Sequence, residues 1–424
     1  MDLAQLHQLF LQYPKVSTDT RRIGENSIFF ALKGPNFNGN TFAQEALNKG
    51  AAYAVIDEAN SIGDHRTILV DNVLETLQQL GTYHRNHFKT KVISLTGSNG
   101  KTTTKELMYT VLSKKFKTIA TQGNLNNHIG VPLTLLRIKE DTEMAIIEMG
   151  ANHQKEIKFL AGLSKPDFGY ITNFGKAHLE GFGGVEGVIK GKSELYDYLM
   201  ANDCHVFLNA DDSIQNEKLS TYVKKFGFSQ KDHKYYGIKF LGANPFVEIE
   251  FEKIKIKTQL TGAYNFPNCA VAILVGKYFN IPPNVIKEAL ESYVPENNRS
   301  QIIKIQGHNV ILDAYNANPT SMQAALESFS KIAGENKFMF LGDMFELGTA
   351  AKKEHQNIAD LAMSLGFNNV CLVGEHFAKA KTHFQQFDSF ETLKKTFDFK
   401  SLPKSNMLIK GSRGMAMERI LDLL

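Results

Sequence analysis

The chain is organised around one continuous segment, which reads Val92-Ile93-Ser94-Leu95-Thr96-Gly97-Ser98-Asn99-Gly100-Lys101-Thr102-Thr103-Thr104. A short β-branched run opens it, and apolar residues at helical spacing follow the threonines. This order predicts a strand, a glycine turn and a helix that together hold a phosphate, because backbone N–H groups and the positive end of the helix dipole face the same point. Lys101 would reach the phosphates of a nucleotide, and the Thr102 hydroxyl would coordinate Mg²⁺.

The match to the general phosphate-loop pattern is incomplete. That pattern has four residues between its glycines, and Leu95 stands where its first glycine belongs. A Gly-Lys pair also opens many ordinary helices, so a plain turn is the alternative interpretation. The strand before the loop and the helix after it favour phosphate binding.

Length and composition bound the class of protein. With 424 residues the chain is too long for one hydrophobic core, so we expect two or three domains. A hydrophobic fraction of 43% and a charged fraction of 22% are typical of a globular protein. The net charge of +4, from 48 basic and 44 acidic residues, gives no indication of a nucleic-acid partner. Cys204, Cys269 and Cys371 are widely separated and predict neither disulfides nor a zinc site.

The chain shows no targeting or membrane signal. Its N-terminus lacks the basic and apolar regions of a leader peptide. No apolar run approaches the ~20 residues that a membrane-spanning helix needs. We therefore expect a cytoplasmic protein without membrane insertion.

Changes in pattern along the chain predict three units, over residues 1–90, 91–297 and 298–424. Within the second unit, residues 232–261 alternate like antiparallel strands. In the third unit, apolar strands alternate with helices near 319–333, 352–366 and 414–424, which is typical of βαβ units and a parallel sheet. The overall prediction is an α/β fold.

Two side chains are expected at strand ends beside the phosphate loop. The run over residues 144–150 has the composition of a fully buried strand that ends in a carboxylate, Glu148, and the strand at 169–173 leads to His178. Because ligands collect at the carboxyl ends of parallel strands, Glu148 and His178 indicate a Mg²⁺ site. Taken singly, such groups are more often structural. Lys192, on a helix predicted over 185–200, has the spacing of a solvated lysine.

Segments along most of the chain resemble the Mur ligases, which build the peptide stem of bacterial peptidoglycan. The abbreviated loop at 96–103 is similar to the ATP loop of that family, which accounts for Leu95. The other similar segments, in chain order, are Asp19-Thr20-Arg21, Phe29-Phe30-Ala31-Leu32-Lys33-Gly34, Asn124-Leu125-Asn126-Asn127, Glu148-Met149-Gly150-Ala151-Asn152, Asn173-Phe174-Gly175-Lys176-Ala177-His178, Gly191-Lys192-Ser193-Glu194, Asp313-Ala314-Tyr315-Asn316-Ala317-Asn318-Pro319, Leu341-Gly342-Asp343-Met344-Phe345-Glu346-Leu347-Gly348 and Lys410-Gly411-Ser412-Arg413.

The resemblance implies a fold and an activity. The three units become a small α/β UDP-sugar-binding domain, a central P-loop ATPase domain with a mostly parallel sheet, and a C-terminal Rossmann-like domain. The motifs around Tyr315 and Asp343 are most similar to the family member that joins D-alanyl-D-alanine to UDP-N-acetylmuramoyl-tripeptide. That reaction consumes ATP, uses Mg²⁺ at two sites and passes through an acyl phosphate; we expect a monomer. Lysine and diaminopimelate both remain open as the third residue of the tripeptide.

The resemblance also implies roles for individual residues. The nucleotide contacts are Gly97, Ser98, Asn99, Gly100, Lys101, Thr102, Thr103, Asn268, Arg299 and Asp313. The metal ligands are Thr102, Glu148, His178 and Lys192, the last as a carbamylated lysine. The catalytic residues are Lys101, His178 and Lys192. The substrate contacts are Asp19, Thr20, Arg21, Asn126, Asn127, Asn316, Asn318 and Asp343.

Three alternatives were weighed against this interpretation. A sister ligase that adds a single amino acid would carry an Asp-Asn-Pro-Arg signature in its C-terminal domain, and this chain lacks it. Folylpolyglutamate synthetase shares the core but not the Asp-Thr-Arg stretch. A nucleotide-dependent switch protein would leave Glu148, His178 and Lys192 without a common purpose.

Overall fold

The computed structural model of the chain describes residues 1–296, 298–334 and 336–424. Within these residues, four sheets of three to seven strands and one two-stranded ribbon form, and the three largest sheets are mostly parallel. The predicted α/β class is therefore confirmed. The predicted boundary at residue 297 lies outside the described residues, and the division into 1–90, 91–297 and 298–424 stays a prediction.

The N-terminal domain is a small three-layer unit. Its parallel sheet has the order β1-β2-β5-β6, and β3 pairs with β4 as a hairpin. Its elements are α1 (Leu3–Gln12), β1 (Lys15–Ser17), β2 (Ser27–Phe30), β3 (Lys33–Gly34), β4 (Phe37–Asn38), α2 (Ala43–Asn48), β5 (Ala51–Ile56), β6 (Thr67–Leu69) and α3 (Val73–His87), with 3-10 turns at Thr20–Arg22, Gly39–Phe42 and Ala59–Ser61.

Strand β2 shows why both faces of this sheet are covered. Its four residues are all buried. Ile28 and Phe30 pack into the cluster formed with α1 and α3, whereas Phe29 packs against the opposite cluster with α2. Successive side chains of a strand point to opposite faces, so a continuous apolar run requires helices on both sides.

The central domain is built on a seven-stranded parallel sheet with the order β13-β12-β11-β10-β7-β9-β8. Its elements are β7 (Lys91–Thr96), α4 (Lys101–Leu112), β8 (Thr118–Ala120), α5 (Gly130–Leu135), β9 (Met144–Glu148), α6 (Glu156–Ser164), β10 (Phe168–Ile171), α7 (Leu179–Phe182), α8 (Val185–Ala201), β11 (His205–Asn209), α9 (Ser213–Lys218), β12 (Lys225–Ser229), β13 (Tyr236–Gly237), β14 (Lys239–Ala243), β15 (Phe246–Phe251), β16 (Ile254–Thr261), a 3-10 turn at Ala263–Asn265, α10 (Phe266–Tyr278) and α11 (Pro283–Ser292).

The phosphate-loop strand β7 lies between β10 and β9, so the segments that carry Glu148 and His178 leave the sheet on either side of the loop. This is the arrangement that the sequence predicted. The antiparallel interpretation of 232–261 is confirmed for β14, β15 and β16. It is wrong for β13, which adds a short parallel edge strand to the main sheet.

The C-terminal domain has a six-stranded sheet with the order β17-β18-β22-β19-β20-β21, in which only β17 is antiparallel to its neighbour. Its elements are β17 (Gln301–Ile305), β18 (His308–Asp313), α12 (Pro319–Ser330), β19 (Lys337–Gly342), α13 (Ala351–Ser364), β20 (Asn369–Val373), β21 (Gln385–Phe387), α14 (Phe390–Thr396) and β22 (Asn406–Lys410), with 3-10 turns at Gly348–Ala350, Phe377–Lys379, Phe399–Ser401, Arg413–Met415 and Met417–Asp422.

The end of the chain differs from the prediction. A helix was expected over 414–424, but the structure has two 3-10 turns there. Ala416 lies between them with a φ of +46°, a left-handed conformation that interrupts the α-helical hydrogen-bond ladder. All three cysteines are free; Cys269 and Cys371 are buried, and Cys204 is partly exposed. None of the described helices combines the length and apolarity needed to cross a membrane.

Helix α3 connects the N-terminal domain to the central one through Arg85. The guanidinium donates hydrogen bonds to the carbonyls of Ser164 (3.2 Å) and Lys165 (3.2 Å) at the end of α6, and to Asp167 (3.0 Å). A cation at a helix C-terminus satisfies carbonyls that have no partner within the helix. Because the Arg85 side chain is only 10% exposed, these bonds are poorly screened by solvent.

Removal of the Arg85 contact should destabilise the packing of the N-terminal domain against the central domain. Arg85→Ala removes the donor to the carbonyls of buried Ser164 and of Lys165 and to the Asp167 carboxylate, and we expect a loss of roughly 2 kcal/mol, seen as a lower midpoint of thermal unfolding. The matched control is Lys91→Ala, since Lys91 also pairs with Asp167 (3.3 Å) but is 57% exposed, and its loss should cost less than about 1 kcal/mol. Equal shifts in the two variants would show that the α6 carbonyls contribute nothing.

Candidate functional site

A cleft of about 600 Å³ lies between the central and C-terminal domains, and the phosphate loop forms one of its walls. Most of the residues predicted for the site line this cleft, although they come from both domains. They are Ser98, Asn99, Gly100, Lys101, Thr102, Thr103, Asn126, Asn127, Glu148, His178, Asn268, Arg299, Asp313, Asn316 and Asn318.

The two glycines of the loop are required by its geometry. Gly97 has a φ of +144°, and a Cβ there would lie 1.9 Å from Thr172 Oγ1. Gly100 has a φ of +78°, and a Cβ would lie 2.6 Å from Asn268 Oδ1. A side chain at either position would therefore be strained and would collide with a neighbour, which explains the glycines at this strand-to-helix turn.

Lys101 begins helix α4 and folds back over the loop. Its Nζ donates to the carbonyl oxygens of Gly97 (2.7 Å) and Ser98 (3.3 Å). Burial lowers the pKa of Lys101, an effect that the nearby Glu148 charge opposes and the Arg299 charge reinforces. The ammonium is thus held over the loop by backbone carbonyls, where an anion would offer it a stronger partner.

Glu148, the last residue of β9, carries a buried carboxylate that is only half satisfied. It is 2% exposed, and its Oε1 accepts a hydrogen bond from Asn126 Nδ2 (2.8 Å). No described residue donates a hydrogen bond to Oε2. An unpartnered buried carboxylate oxygen is costly, so its chemistry fits a cation ligand.

The donors around Glu148 suit Mg²⁺ better than a transition metal. Among the described residues, no cluster of three His, Cys, Asp or Glu side chains forms a preassembled metal cage. Mg²⁺ is usually held by one or two protein carboxylates, with water and substrate phosphates completing the shell. Thr102 and Glu148, which both line the cleft, fit that pattern.

His178 reaches the cleft from the segment after β10. Its backbone is left-handed, with a φ of +52°. Its Nδ1 lies 2.5 Å from Glu346 Oε2 of the C-terminal domain, yet the ring N–H direction is off the line between the two atoms. At this separation the two groups attract each other electrostatically without a linear hydrogen bond. This contact lowers the pKa of Glu346.

Lys192 on α8 is fully buried, so the interpretation as a solvated helix lysine is wrong. Its Nζ donates to the Ala151 carbonyl (3.2 Å) and lies 4.9 Å from the centre of the Phe182 ring. Burial, reinforced by the charge of Lys101, holds the pKa of Lys192 well below its ordinary value. Lys192 does not line the cleft itself, but Ala151 does.

The C-terminal wall of the cleft is charged and aromatic. The Arg299 guanidinium stacks 3.4 Å from the centre of the Tyr315 ring. Asp313 at the end of β18 accepts hydrogen bonds from Lys410 Nζ (2.6 Å) and the Ser300 backbone N–H (3.1 Å). The predicted nucleotide contact Asp313 is thus held in place by a buried lysine.

Amide side chains connect the two walls. Asn318 Nδ2 donates to Asn99 Oδ1 (2.7 Å), which joins the start of α12 to the phosphate loop. Asn268 is buried beside the loop, where its Oδ1 accepts from Thr104 Oγ1 (3.0 Å) and its Nδ2 donates to Asn265 Oδ1 (2.9 Å). The loop is therefore braced from both domains.

Three family models match the chain over most of its length. They are described as Mur ligase family, catalytic domain, over residues 12–87, Mur ligase middle domain over residues 95–276, and Mur ligase, glutamate ligase domain over residues 298–413. The chain belongs to the Mur ligase family.

Relatives within the Mur ligase family are similar along nearly the whole chain. The UDP-N-acetylmuramoyl-tripeptide–D-alanyl-D-alanine ligase of Bacillus subtilis is 33% identical, over 96% of this chain and 92% of its own length. The ligase of the same name from Escherichia coli is 31% identical, over 96% of this chain and 93% of its own length.

Solved Mur ligase structures have the same fold. A crystal structure of MurF from Acinetobacter baumannii superposes with a TM-score of 0.87 at 29% identity, covering 100% of this chain and 98% of that one. MurF from Thermotoga maritima in complex with ADP superposes with a TM-score of 0.86 at 25% identity, covering 97% of each chain. The three-domain architecture predicted from the sequence is therefore confirmed.

Some predicted Mur ligase residues lie outside the cleft lining. Thr20 and Arg21 lie in the 3-10 turn Thr20–Arg22 of the N-terminal domain, and Asp19 caps this turn and pairs with Arg21 (2.7 Å). Asp343 is buried inside the C-terminal domain. Gly97 belongs to the phosphate loop but is not among the residues that line the cleft. The nucleotide role of Gly97 and the substrate roles of the other four residues stay predictions.

Four residues at the site have no role predicted from the sequence. Tyr264 and Tyr315 line the cleft, Lys410 pairs with Asp313, and Glu346 contacts His178. Tyr315, Glu346 and Lys410 lie in segments that resemble the family, so the sequence could have marked them as candidate site residues. It could not predict their contacts, because each contact is with a residue distant in the sequence.

The loop geometry generates a direct prediction. Gly100→Ala should weaken ADP binding roughly tenfold or more, because a strained backbone of about 1–3 kcal/mol would distort the loop that holds the phosphates. Gly162→Ala on α6 is the matched control, since no atom lies within 4 Å of its added Cβ, and binding should be unchanged. Titration calorimetry with ADP measures both. Unaltered affinity in Gly100→Ala would contradict the role of the loop.

Proposed function

We propose that this chain is an ATP-dependent ligase that joins D-alanyl-D-alanine to UDP-N-acetylmuramoyl-tripeptide in peptidoglycan precursor synthesis. The observation that carries the proposal is the half-satisfied Glu148 carboxylate beside the Lys101 phosphate loop, with buried Lys192 behind it. Relatives named for this reaction, similar over 96% of the chain, support the choice of substrates.

The chemistry requires activation of a carboxylate. A free carboxylate is a poor electrophile, so one of its oxygens attacks the γ-phosphorus of ATP, and ADP leaves as the acyl phosphate forms. The amine of D-alanyl-D-alanine then attacks the acyl carbon, loses a proton and expels phosphate. Lys101 and the N–H groups of the loop stabilise the charge on the transferring phosphoryl group.

We assign the Mg²⁺ sites to residues that fit them chemically. Thr102 and Glu148 would hold one ion, and His178 with carbamylated Lys192 would hold a second. When bound, Mg²⁺ neutralises negative charge on the phosphates and the acyl oxygens. The unpartnered Oε2 of Glu148 supports the first assignment.

Carbamylation of Lys192 is favoured by its surroundings. The reaction of an amine with CO₂ needs the neutral form, and an ordinary lysine with a pKa of ~10.4 is almost wholly protonated at pH 7. Burial, with the nearby Lys101 charge, lowers the pKa of Lys192, which shifts the balance toward the neutral amine. The anionic carbamate would then compensate the Lys101 charge.

The remaining contacts are assigned by position. Nucleotide binding would involve Asn268 at the adenine, Arg299 at a phosphate and Asp313 at the ribose, and the UDP end would meet the turn at Asp19–Arg21. Asn126 and Asn127 would face the muropeptide, and Asn316, Asn318 and Asp343 would face the nucleotide or the incoming dipeptide. We further propose that the chain acts as a monomer, and that the reaction takes place in the cytoplasm, where ATP is made.

The proposed function is tested by phosphate release. D-alanyl-D-alanine should stimulate release from ATP strongly only when UDP-N-acetylmuramoyl-tripeptide is present, because the acyl phosphate must form before the amine attacks. Lys101→Ala should reduce this rate by about 10²-fold or more. Equal stimulation by a single amino acid, with UDP-N-acetylmuramoyl-dipeptide in place of the tripeptide, would identify the sister ligase instead.

Lys192 gives a second test. Lys192→Ala should be nearly inactive and should regain part of its activity with acetate or formate, which can occupy the space of the carbamate. Lys192→Arg should not be rescued, because it keeps a positive charge and fills that space. The matched control is Lys190→Ala, an exposed lysine of the same helix, which should keep full activity. Full activity in Lys192→Ala would exclude the carbamate.

A further inference from the structure

The loop after β19, residues 343–347, has no assigned role apart from Asp343, yet it is held firmly inside the C-terminal domain. The Asp343 carboxylate accepts hydrogen bonds from the backbone N–H groups of His376 (2.9 Å) and Phe377 (2.9 Å). Its own N–H donates to Val373, and its carbonyl accepts from the Ser412 N–H (3.0 Å each). Asp343 therefore fixes the start of this loop to two neighbouring segments.

The next two residues are fixed in the same way. The Met344 N–H donates to Nε2 of the buried His355 (2.9 Å), and the Phe345 N–H donates to Ser412 Oγ (2.9 Å). Glu346 follows with a φ of +61°, a left-handed conformation that a residue other than glycine adopts at a cost. Such strain persists where many surrounding contacts hold the backbone in place, and strained residues are concentrated at functional positions.

The Glu346 side chain extends from the C-terminal domain and contacts the turn of the central domain that carries His178. Its Oε2 lies 2.5 Å from His178 Nδ1, and its backbone carbonyl accepts a hydrogen bond from the Glu180 N–H (3.3 Å). Gly348 packs against the Glu180 side chain. No hydrogen bond from the described residues engages Nε2 of His178, whose ring lines the cleft.

A second contact holds the same segment two residues earlier. The Lys176 N–H donates to Thr320 Oγ1 (2.8 Å), and Lys176 Nζ pairs with the nearly buried Glu354 (2.8 Å). The segment from Lys176 to Glu180 belongs to the central domain, but its polar contacts here are with the C-terminal domain. The position of His178 is thus coupled to the position of that domain.

We propose that Glu346 is a positioning residue: it holds the His178 imidazole through Nδ1, directs Nε2 to the cleft, and does so only while the C-terminal domain is docked. The proposal deepens the proposed function, on which the role of His178 rests. A carboxylate on the second nitrogen of a ligating histidine fixes its tautomer and ring orientation. Domain docking would then complete the site.

The direct readout is the His178 tautomer, measured by NMR on the full chain labelled with ¹⁵N-histidine. The chain has 13 histidines, and the His178 signal is identified by its loss in His178→Gln. In the wild type, Nδ1 should carry the proton, because a carboxylate accepts it. Glu346→Ala should release this preference and give a mixture of tautomers. Glu180→Ala, which removes a neighbouring exposed carboxylate, is the matched control and should leave the signal unchanged.

Two further variants separate positioning from folding. Glu346→Gly removes the carboxylate and is compatible with a φ of +61°, so it should fold and show the same change in the His178 signal. Glu346→Gln keeps an acceptor oxygen and should restore part of the Nδ1–H preference. An unchanged His178 signal in both Glu346→Ala and Glu346→Gly would overturn the proposal.

Kinetics give the second readout. Glu346→Ala and Glu346→Gly should lower kcat roughly 10- to 100-fold while the KM for ATP stays the same, because the phosphate loop is untouched. A rise in the KM for ATP without a fall in kcat would contradict the proposal. A wild-type chain that does not ligate the proposed substrates would refute the proposed function, whereas the tautomer experiment would still decide the role of Glu346.

Discussion

The site depends on one unbalanced electrostatic arrangement. A buried carboxylate at the end of β9 has one oxygen to which no described residue donates a hydrogen bond, and the lysine ammonium beside it donates to two carbonyls of the phosphate loop. Fixed charges in a poorly solvated cleft interact strongly with a ligand that complements them. Much of the surrounding structure serves to hold these groups apart and in place.

The parallel sheet accounts for how these groups meet. Strand β7 lies between β9 and β10, so three consecutive neighbours of the sheet direct their carboxyl ends to one edge. The glycines of the loop allow the chain to turn there, against Thr172 and Asn268, without a side chain in the way. The C-terminal domain then covers this edge and contributes Arg299, Asp313 and, through Glu346, a contact to His178. A site divided between two domains makes their relative position part of the chemistry, and closure keeps water from an acyl phosphate.

Much of the fold was accessible from the sequence. The strand that carries Glu148 was predicted over residues 144–150, and the structure has it as Met144–Glu148, because a buried strand of a parallel sheet is a continuous apolar run. The prediction of a helix over 414–424 was wrong, since one left-handed residue, Ala416, divides the segment into 3-10 turns. The apolar pattern of the segment does not reveal this backbone conformation. Lys192 was misjudged from its spacing, because helical periodicity says which face a residue is on but not what covers that face.

The sequence by itself determined the local chemistry of this protein: a strand, a glycine turn and a Gly-Lys-Thr helix start, which bind phosphate through groups adjacent in the chain. Only the tertiary structure decided which distant groups complete the site. The orphaned oxygen of Glu148, the burial of Lys192 and the contact between Glu346 and His178 all arise where separate segments pack together. Burial and hydrogen-bond partnership are properties of that packing, so they become visible only when the domains are assembled.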